Sequence, residues 1–197
     1  MNCVLKIFGA QHSRMEVSFM TLVFQYGSNA DSERLNSNDR LRGDAQQRGI
    51  AYTEDDFELD FTVQSKSNQC AAADIVSGSG RKIWGVLYEI PDHLIRRETS
   101  GDRKSLDAIE GEGVNYRKVP ISLRRADGTS LEQEVITYVA IKRQSGIQTS
   151  LEYASHIVLG LREHNVPEDY IEYVKGRIIA NNPALRNGIE ARVGWGE

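Results

Sequence analysis

The chain has 197 residues, 40% hydrophobic, 26% charged and 8% aromatic, with 24 Lys and Arg against 28 Asp and Glu for a formal net charge of -4. This is the composition of a folded domain with a real core, which excludes a disordered chain, a collagen-like repeat and a disulfide miniprotein. The balance of charge gives no global basic field to gather nucleic acid, and no apolar run approaches the ~18–20 residues that a membrane helix needs.

Residues 1–19 show no periodicity and are set apart as an N-terminal extension. The first strand is predicted at residues 21–26, a β-branched and aromatic run stopped by Gly27. Gly27-Ser28-Asn29 is a turn, after which Asn29 or Asp31 can cap a short helix over 31–35. Residues 36–47 form a polar surface connection. A strand is predicted at 49–53, and residues 57–63 alternate apolar and polar with period two, so that one face is buried. Strands over 71–76 and 82–90 flank Ser77-Gly78-Ser79-Gly80, which predicts a hairpin. Pro91 ends the second of them. Short helices are predicted at 92–97 and 102–110, with strands at 116–123 and 132–141 around an Asp127-Gly128 turn.

The C-terminal part is helical. Thr149 and Glu152 have the spacing of a capping box. Ala154, Ile157, Val158 and Leu161 mark one helical face, and Pro167 suits the first turn of a second helix with a stripe of Tyr170, Ile171, Val174 and Ile178. The domain is placed at residues 20–180, with 181–197 as a surface tail. Strands first and helices last predict an α+β fold, a compact sheet or barrel with helices grouped at one side.

The chemistry-bearing residues are few. Cys3 and Cys70 lack CxxC spacing and read as free thiols of a reducing compartment. Val4-Leu5-Lys6-Ile7-Phe8 is too short and lysine-broken for a signal-peptide core, so a cytoplasmic location is expected. The histidines His12, His93, His156 and His164 give no HExxH motif, and no metal site is expected. There is no GxSxG elbow, and Gly78-Ser79-Gly80 lacks the end of a phosphate loop.

Tyr26-Gly27-Ser28-Asn29 ends a strand in a glycine turn whose backbone N–H groups suit a carboxylate or phosphate; the plainer alternative is an ordinary strand-to-helix turn. Glu110 closes a predicted helix against the dipole and precedes Gly111. A carboxylate so placed and partly buried has a raised pKa, closer to that of a useful general base; the plainer alternative is a solvated glutamate beside a glycine cap. Asp107, Glu112 and Glu89 are read as surface charges. Tyr26, Tyr116, Tyr138 and Tyr153 lie inside predicted elements and are core residues unless a ligand site gathers them.

These segments fall in one order along the chain: Phe24-Gln25-Tyr26-Gly27-Ser28-Asn29, Ile83-Trp84-Gly85-Val86-Leu87-Tyr88, Leu106-Asp107-Ala108-Ile109-Glu110-Gly111, Tyr116-Arg117-Lys118-Val119, Thr137-Tyr138-Val139 and Ser150-Leu151-Glu152-Tyr153. The set resembles the gamma-glutamylcyclotransferase family over roughly residues 20–180. The resemblance implies a small mixed β-barrel with flanking helices, no cofactor, and release of 5-oxoproline from a γ-glutamyl substrate by internal attack of its α-amine. By position it implies that Glu110 is the catalytic glutamate, that Tyr26, Gly27, Ser28 and Asn29 hold the substrate, and that Tyr116 and Tyr153 line its cavity. The Gly-Ser-Asn form of the loop is similar to the γ-glutamyl-amino-acid branch. Gln25 departs from the family, which commonly has a small residue there. The partner implied is a small-molecule γ-glutamyl compound acting on a monomer or homodimer, with no nucleic acid and no membrane. The competing expectations are a γ-glutamyl-removing step of a biosynthetic pathway with a bulkier leaving amine, and a binding module that has lost turnover.

Overall fold

A computed structural model of the protein describes residues 19–78, 80–96 and 103–193. The N-terminal extension up to residue 18, Cys3, His12, Ser79, residues 97–102 where the two predicted short helices meet, and the last four residues of the tail lie outside the described residues.

Seven strands are predicted and eight form, because the run predicted at 116–123 divides after Pro120: β1 (Met20–Gln25), β2 (Gln46–Thr53), β3 (Phe57–Ser65), β4 (Cys70–Ser77), β5 (Trp84–Pro91), β6 (Tyr116–Pro120), β7 (Leu123–Arg125) and β8 (Val135–Ala140). Six form one mixed sheet in the order β6-β8-β1-β5-β2-β7, and β3 and β4 form a separate two-stranded ladder. The architecture is α+β with a mixed sheet and flanking helices. No ladder closes the sheets into a continuous barrel among the described residues.

Strand β1 sits inside the large sheet, antiparallel to β5 and parallel to β8. Covered on both faces, it reads as an unbroken apolar run, and Val23 and Phe24 are fully buried. Its C-terminal end carries the loop at residues 26–29. Strand β3 is one-sided, as its alternation predicts: Leu59, Phe61 and Val63 point into the core and the residues between them do not.

The predicted hairpin across residues 77–80 is not formed. β4 pairs with β3, whereas β5 pairs with β1 and β2, so this segment carries the chain from one sheet to the other. A Gly-Ser run permits either path, and the isolated bridge between Phe57 and Arg81 marks where the chain leaves the β3–β4 ladder. The β3–β4 ladder is tied back to the main sheet by Asp74. Its fully buried carboxylate accepts from the Ala140 N–H at 2.9 Å and from Arg143 Nε at 2.6 Å. Replacing Asp74 by Ala leaves the Ala140 N–H without an acceptor and is expected to cost about 1–3 kcal/mol. Urea denaturation should show this as a lower midpoint at constant slope, with Asp74→Asn losing less because it keeps an acceptor.

The helices are α1 (Ser32–Leu35), α2 (Leu106–Glu110), α3 (Leu151–Glu163), α4 (Glu168–Asn181) and α5 (Arg186–Val193). Asp31 caps α1, its side chain accepting from the Arg34 N–H. The cap of α3 is Ser150, bonded to the Tyr153 N–H, and not the predicted Thr149. Two adjacent hydroxyl residues offer the same chemistry, and Thr149 is instead fixed through its backbone to Asn181 and Asn182. The apolar faces of α3 and α4 are buried as their spacing predicts. The tail contributes α5, whose Ile189 is fully buried, so this segment belongs to the core and does not merely wrap the surface.

Helix α3 passes so close to the loop after β1 that only glycine fits at position 160. A Cβ there would stand 2.3 Å from the Asp31 backbone N and 2.5 Å from the Ala30 carbonyl carbon. His156 on the same helix pairs through Nδ1 with Asp31 Oδ2 at 2.6 Å. Burial raises the Asp31 pKa, but its bonds to His156 and to the Arg34 N–H outweigh that effect and hold it below the ordinary carboxylate range. The loop is therefore pinned from behind by α3.

Candidate active site

The loop at residues 26–29 leaves β1 where the sheet ends, and α2 ends facing it. Ser105 starts α2 by capping the Ala108 N–H, and Gly111 ends it in the left-handed conformation at φ 66°. That conformation favours glycine. The side chain of Glu110, the last helical residue, turns into the space between α2 and the loop, where Asn29 Nδ2 donates to Glu110 Oε1 at 2.8 Å.

Tyr26, Gly27, Ser28, Asn29, Glu110, Tyr116 and Tyr153 all line one small cavity of about 30 Å³, which opens to solvent. Residues spread across more than 120 positions of sequence thus meet at one place. Gln25, Ala73, Thr137 and Tyr138 complete the wall.

The tyrosines serve chiefly as a rigid frame. Tyr26 donates to the Tyr138 carbonyl at 2.6 Å, Tyr116 donates to the Ala73 carbonyl at 2.6 Å, and the Tyr153 oxygen accepts from the Ala73 N–H at 3.0 Å. Burial raises the pKa of all three, so they stay neutral at any physiological pH. Tyr138 donates to Asp107 Oδ1 at 2.6 Å, and Lys118 Nζ lies 3.0 Å from Asp107 Oδ2. Asp107 is thus a buried bracket between α2, β6 and β8, and not the surface charge predicted for it. Its position in the first turn of α2 faces the sheet, which one helical turn of sequence is too short to reveal.

Burial is the largest influence on Glu110 and raises its pKa above the ordinary value of 4.5. Hydrogen bonding from Asn29 and the positive charge of Arg40 act in the opposite direction without cancelling it. Arg40 completes a chain of contacts. Its Nη1 donates to Asn29 Oδ1 at 2.7 Å, which turns the Asn29 amide so that Nδ2 faces Glu110. Sequence reasoning missed Arg40 because it lies in a polar connection among other arginines. Only folding of the segment 36–45 back against the loop, anchored by the fully buried Leu41, gives it a role. Arg40 also borders a wider cleft lined by Arg34, Asp39, Lys104 and His156.

No group of three or more His, Cys, Asp or Glu is placed to hold a metal ion among the described residues. Cys70 is a buried free thiol away from this cavity wall. No helix of the described residues is long and apolar enough to cross a membrane. Chemically, the cavity offers one carboxylate of raised basicity, the loop residues Gly27, Ser28 and Asn29 in the same wall, and a frame of hydrogen-bonded tyrosines.

The model of the AIG2-like family matches residues 82–174, which include Glu110, Tyr116 and Tyr153 but not the loop at 26–29. A gamma-glutamylcyclotransferase of Mus musculus is 28% identical over 160 residues, covering 78% of this chain and 77% of its own. One of Bos taurus is 25% identical over 168 residues, covering 83% of this chain and 81% of its own. Among solved structures, a gamma-glutamyl cyclotransferase matches with a TM-score of 0.67 at 26% identity, over 80% of this chain and 87% of that one.

Proposed function

We propose that this chain, which is similar to the AIG2-like family over residues 82–174 and to gamma-glutamylcyclotransferases over most of its length, releases 5-oxoproline from a γ-glutamyl amino acid or related γ-glutamyl compound, with Glu110 carrying the protons. The observation that supports this most is the placement of Glu110. It is a carboxylate of raised pKa inside a small cavity, held by Asn29 from the very loop that would grip the substrate.

The reaction follows from the substrate's own geometry. A γ-glutamyl group holds its α-amine one ring closure from its γ-carbonyl carbon. Alignment of such an internal pair is worth about 7–11 kcal/mol of barrier, and a positioned acid–base group about 10²–10⁴-fold. In this reading the loop N–H groups at residues 27–29 hold the α-carboxylate. Glu110 takes a proton from the α-ammonium, and the freed amine attacks the γ-carbon. The carbonyl π electrons move onto oxygen, then return as the bond to the leaving nitrogen breaks. The α-ammonium starts with three protons and the lactam nitrogen keeps one. The amide nitrogen starts with one and departs as an ammonium with three. Two protons must cross, and a single carboxylate between the two nitrogens can carry them in turn. The wider cleft beyond Arg40 receives the leaving amine. The aromatic frame keeps the cavity rigid, and the reaction uses no cofactor. We place this chemistry in the cytoplasm, in a monomer or homodimer.

Chromatography of 5-oxoproline from γ-glutamyl dipeptides and from γ-glutamylamines tests the proposal. Release from the dipeptides is the expected result; absence of release from every substrate, with a folded protein, overturns it. Asn29→Ala provides a finer test. It removes the bond that offsets the effect of burial on Glu110, so the Glu110 pKa rises further. Glu110 must be ionised to accept a proton, and activity is lost as pH falls through its pKa. The acid limb of the kcat profile therefore moves to higher pH in Asn29→Ala, and a limb that stays in place counts against Glu110 as the base.

A further inference from the structure

We propose that Gln25 is a catalytic residue of this site, its side-chain amide N–H donating to the substrate's γ-carbonyl oxygen as that oxygen takes up negative charge. This rests on the cyclotransferase reading of the cavity and adds a donor for the charge that such a reaction develops.

Gln25 is the last residue of β1, is 5% exposed, and lines the cavity beside Glu110. Among the described residues its buried Nε2 has no hydrogen-bond partner. Buried donors are almost always paired, and a stranded one calls for a reason. The wall is polar, but most of its other side-chain donors already have acceptors within the protein. Tyr26 donates to the Tyr138 carbonyl, Tyr116 to the Ala73 carbonyl and Tyr138 to Asp107. Thr137 donates to the Phe24 carbonyl. Asn29 is spent at both ends, on Glu110 and Arg40. Gln25 keeps an unused donor in a cavity where the side-chain donors of Tyr26, Tyr116, Thr137, Tyr138 and Asn29 are occupied.

The acceptor follows from the substrate. A γ-glutamyl compound brings two acceptors, the α-carboxylate and the γ-carbonyl oxygen. The first is assigned to the loop N–H groups. The second is one bond from the carbon that the α-nitrogen attacks. The group that deprotonates the α-nitrogen therefore has the γ-carbonyl oxygen close beside it at the moment of ring closure. The Gln25 amide faces the Glu110 carboxylate and stabilises its charge without forming a hydrogen bond of ordinary geometry to it. That leaves the donor directed at the same small region. The orientation of the amide is fixed by the same neighbour, since an oxygen turned toward Glu110 would be repelled.

The balance of the step is unchanged. The α-nitrogen lone pair forms the new C–N bond and the carbonyl π pair moves to oxygen. The Gln25 N–H bond to that oxygen strengthens without transferring its proton. The oxygen pair then re-forms the carbonyl as the leaving nitrogen departs with the proton held by Glu110. A donor that tightens only as charge develops acts on the transition state and not on ground-state binding.

Gln25→Leu, which removes the amide and keeps an apolar side chain in its place, separates this role from the alternatives. Removing a single oxyanion donor is expected to lower kcat about 10²-fold with KM within a few-fold of the wild type. The measurement is made well above the acid limb, where Glu110 is ionised in both proteins. A loss that persists on that plateau supports the donor role. A loss that recovers fully at high pH means that Gln25 only tunes Glu110, and overturns the proposal. So does a plateau kcat within threefold of the wild type. The melting temperature supplies an independent reading. Leu replaces an unpaired buried amide, so the variant is expected to melt at or above the wild-type temperature; a purely structural Gln25 would give a lower one. Gln25→Met, of equal length and greater flexibility, is measured in the same way should Leu be accommodated poorly. If the wild type releases no 5-oxoproline, the cyclotransferase reading fails and this proposal with it. If the wild type is active and both variants match it, only the role of Gln25 fails.

Discussion

Replacing Glu110 by Gln is expected to lower kcat by about 10²–10⁴-fold while leaving the protein folded. Gln keeps the size of the side chain and can still accept from Asn29 Nδ2, but it cannot take a proton from the substrate's α-ammonium. The stability of this variant carries as much information as its activity. Burial raises the pKa of Glu110 in the folded protein above 4.5. The native state therefore binds the Glu110 proton more tightly than the unfolded chain does. Stability from that proton is fully present below the ordinary pKa and is lost as pH rises through the raised folded value. At pH above the raised pKa the wild type holds a buried charge that the variant lacks. Thermal melts of the two proteins should coincide below pH 4 and separate at pH 8, with Glu110→Gln the more stable. A variant less stable than the wild type at pH 8 would mean that the carboxylate is held for structure and not for proton transfer.

Gly160→Ala is expected to be the most damaging single methyl group in the molecule's C-terminal half. Its Cβ would meet backbone on both near contacts, 2.3 Å from Asp31 N and 2.5 Å from the Ala30 carbonyl carbon. Backbone cannot rotate away as a side chain can. Either α3 shifts or the loop moves, at a cost of about 1–3 kcal/mol or more. The loop carries Asn29, so a shift also moves the partner of Glu110. A displacement of about 1 Å at a reacting geometry can cost 10²-fold. kcat/KM is therefore expected to fall about 10²-fold even at temperatures where the variant is folded. Gly176→Ala is the control. That glycine is also helical, on α4, but a Cβ there meets nothing within 4 Å. It is expected to stabilise by about 0.5–1 kcal/mol with unchanged activity. Equal effects of the two substitutions on activity would remove the claim that α3 fixes the loop.

The parts of this structure that were legible in the sequence are those set by local periodicity or by a short motif. The alternation of β3, the apolar run of β1 and the stripes on α3 and α4 each follow from which side chains must leave water. Glu110 stood out as an acidic residue before glycine at a helix end, but a solvated glutamate fits the same pattern, and only the family resemblance singled it out as a site residue. Pairing was not legible. The segment at residues 77–80 has the composition of a turn whichever strand follows, and only the burial of β4 against β3 decides that no hairpin forms. Arg40 was hidden for a related reason. One arginine among several in a polar connection gains a function only when Leu41 carries that segment into the core. Gln25 was visible as a departure from the family pattern, but its consequence depends on which of its neighbours' hydrogen bonds are already made, and no sequence carries that information.

Internal attack and attack by water give different products from the same γ-glutamyl amide bond, which makes the route directly measurable. Wild-type protein is incubated with a γ-glutamyl dipeptide in water enriched in oxygen-18, and the products are weighed by mass spectrometry. Ring closure by the α-amine predicts 5-oxoproline free of the label together with one equivalent of the free amino acid. Oxygen-18-labelled glutamate as the enzyme-dependent product would contradict the account, because water and not the substrate's own amine would then be the nucleophile.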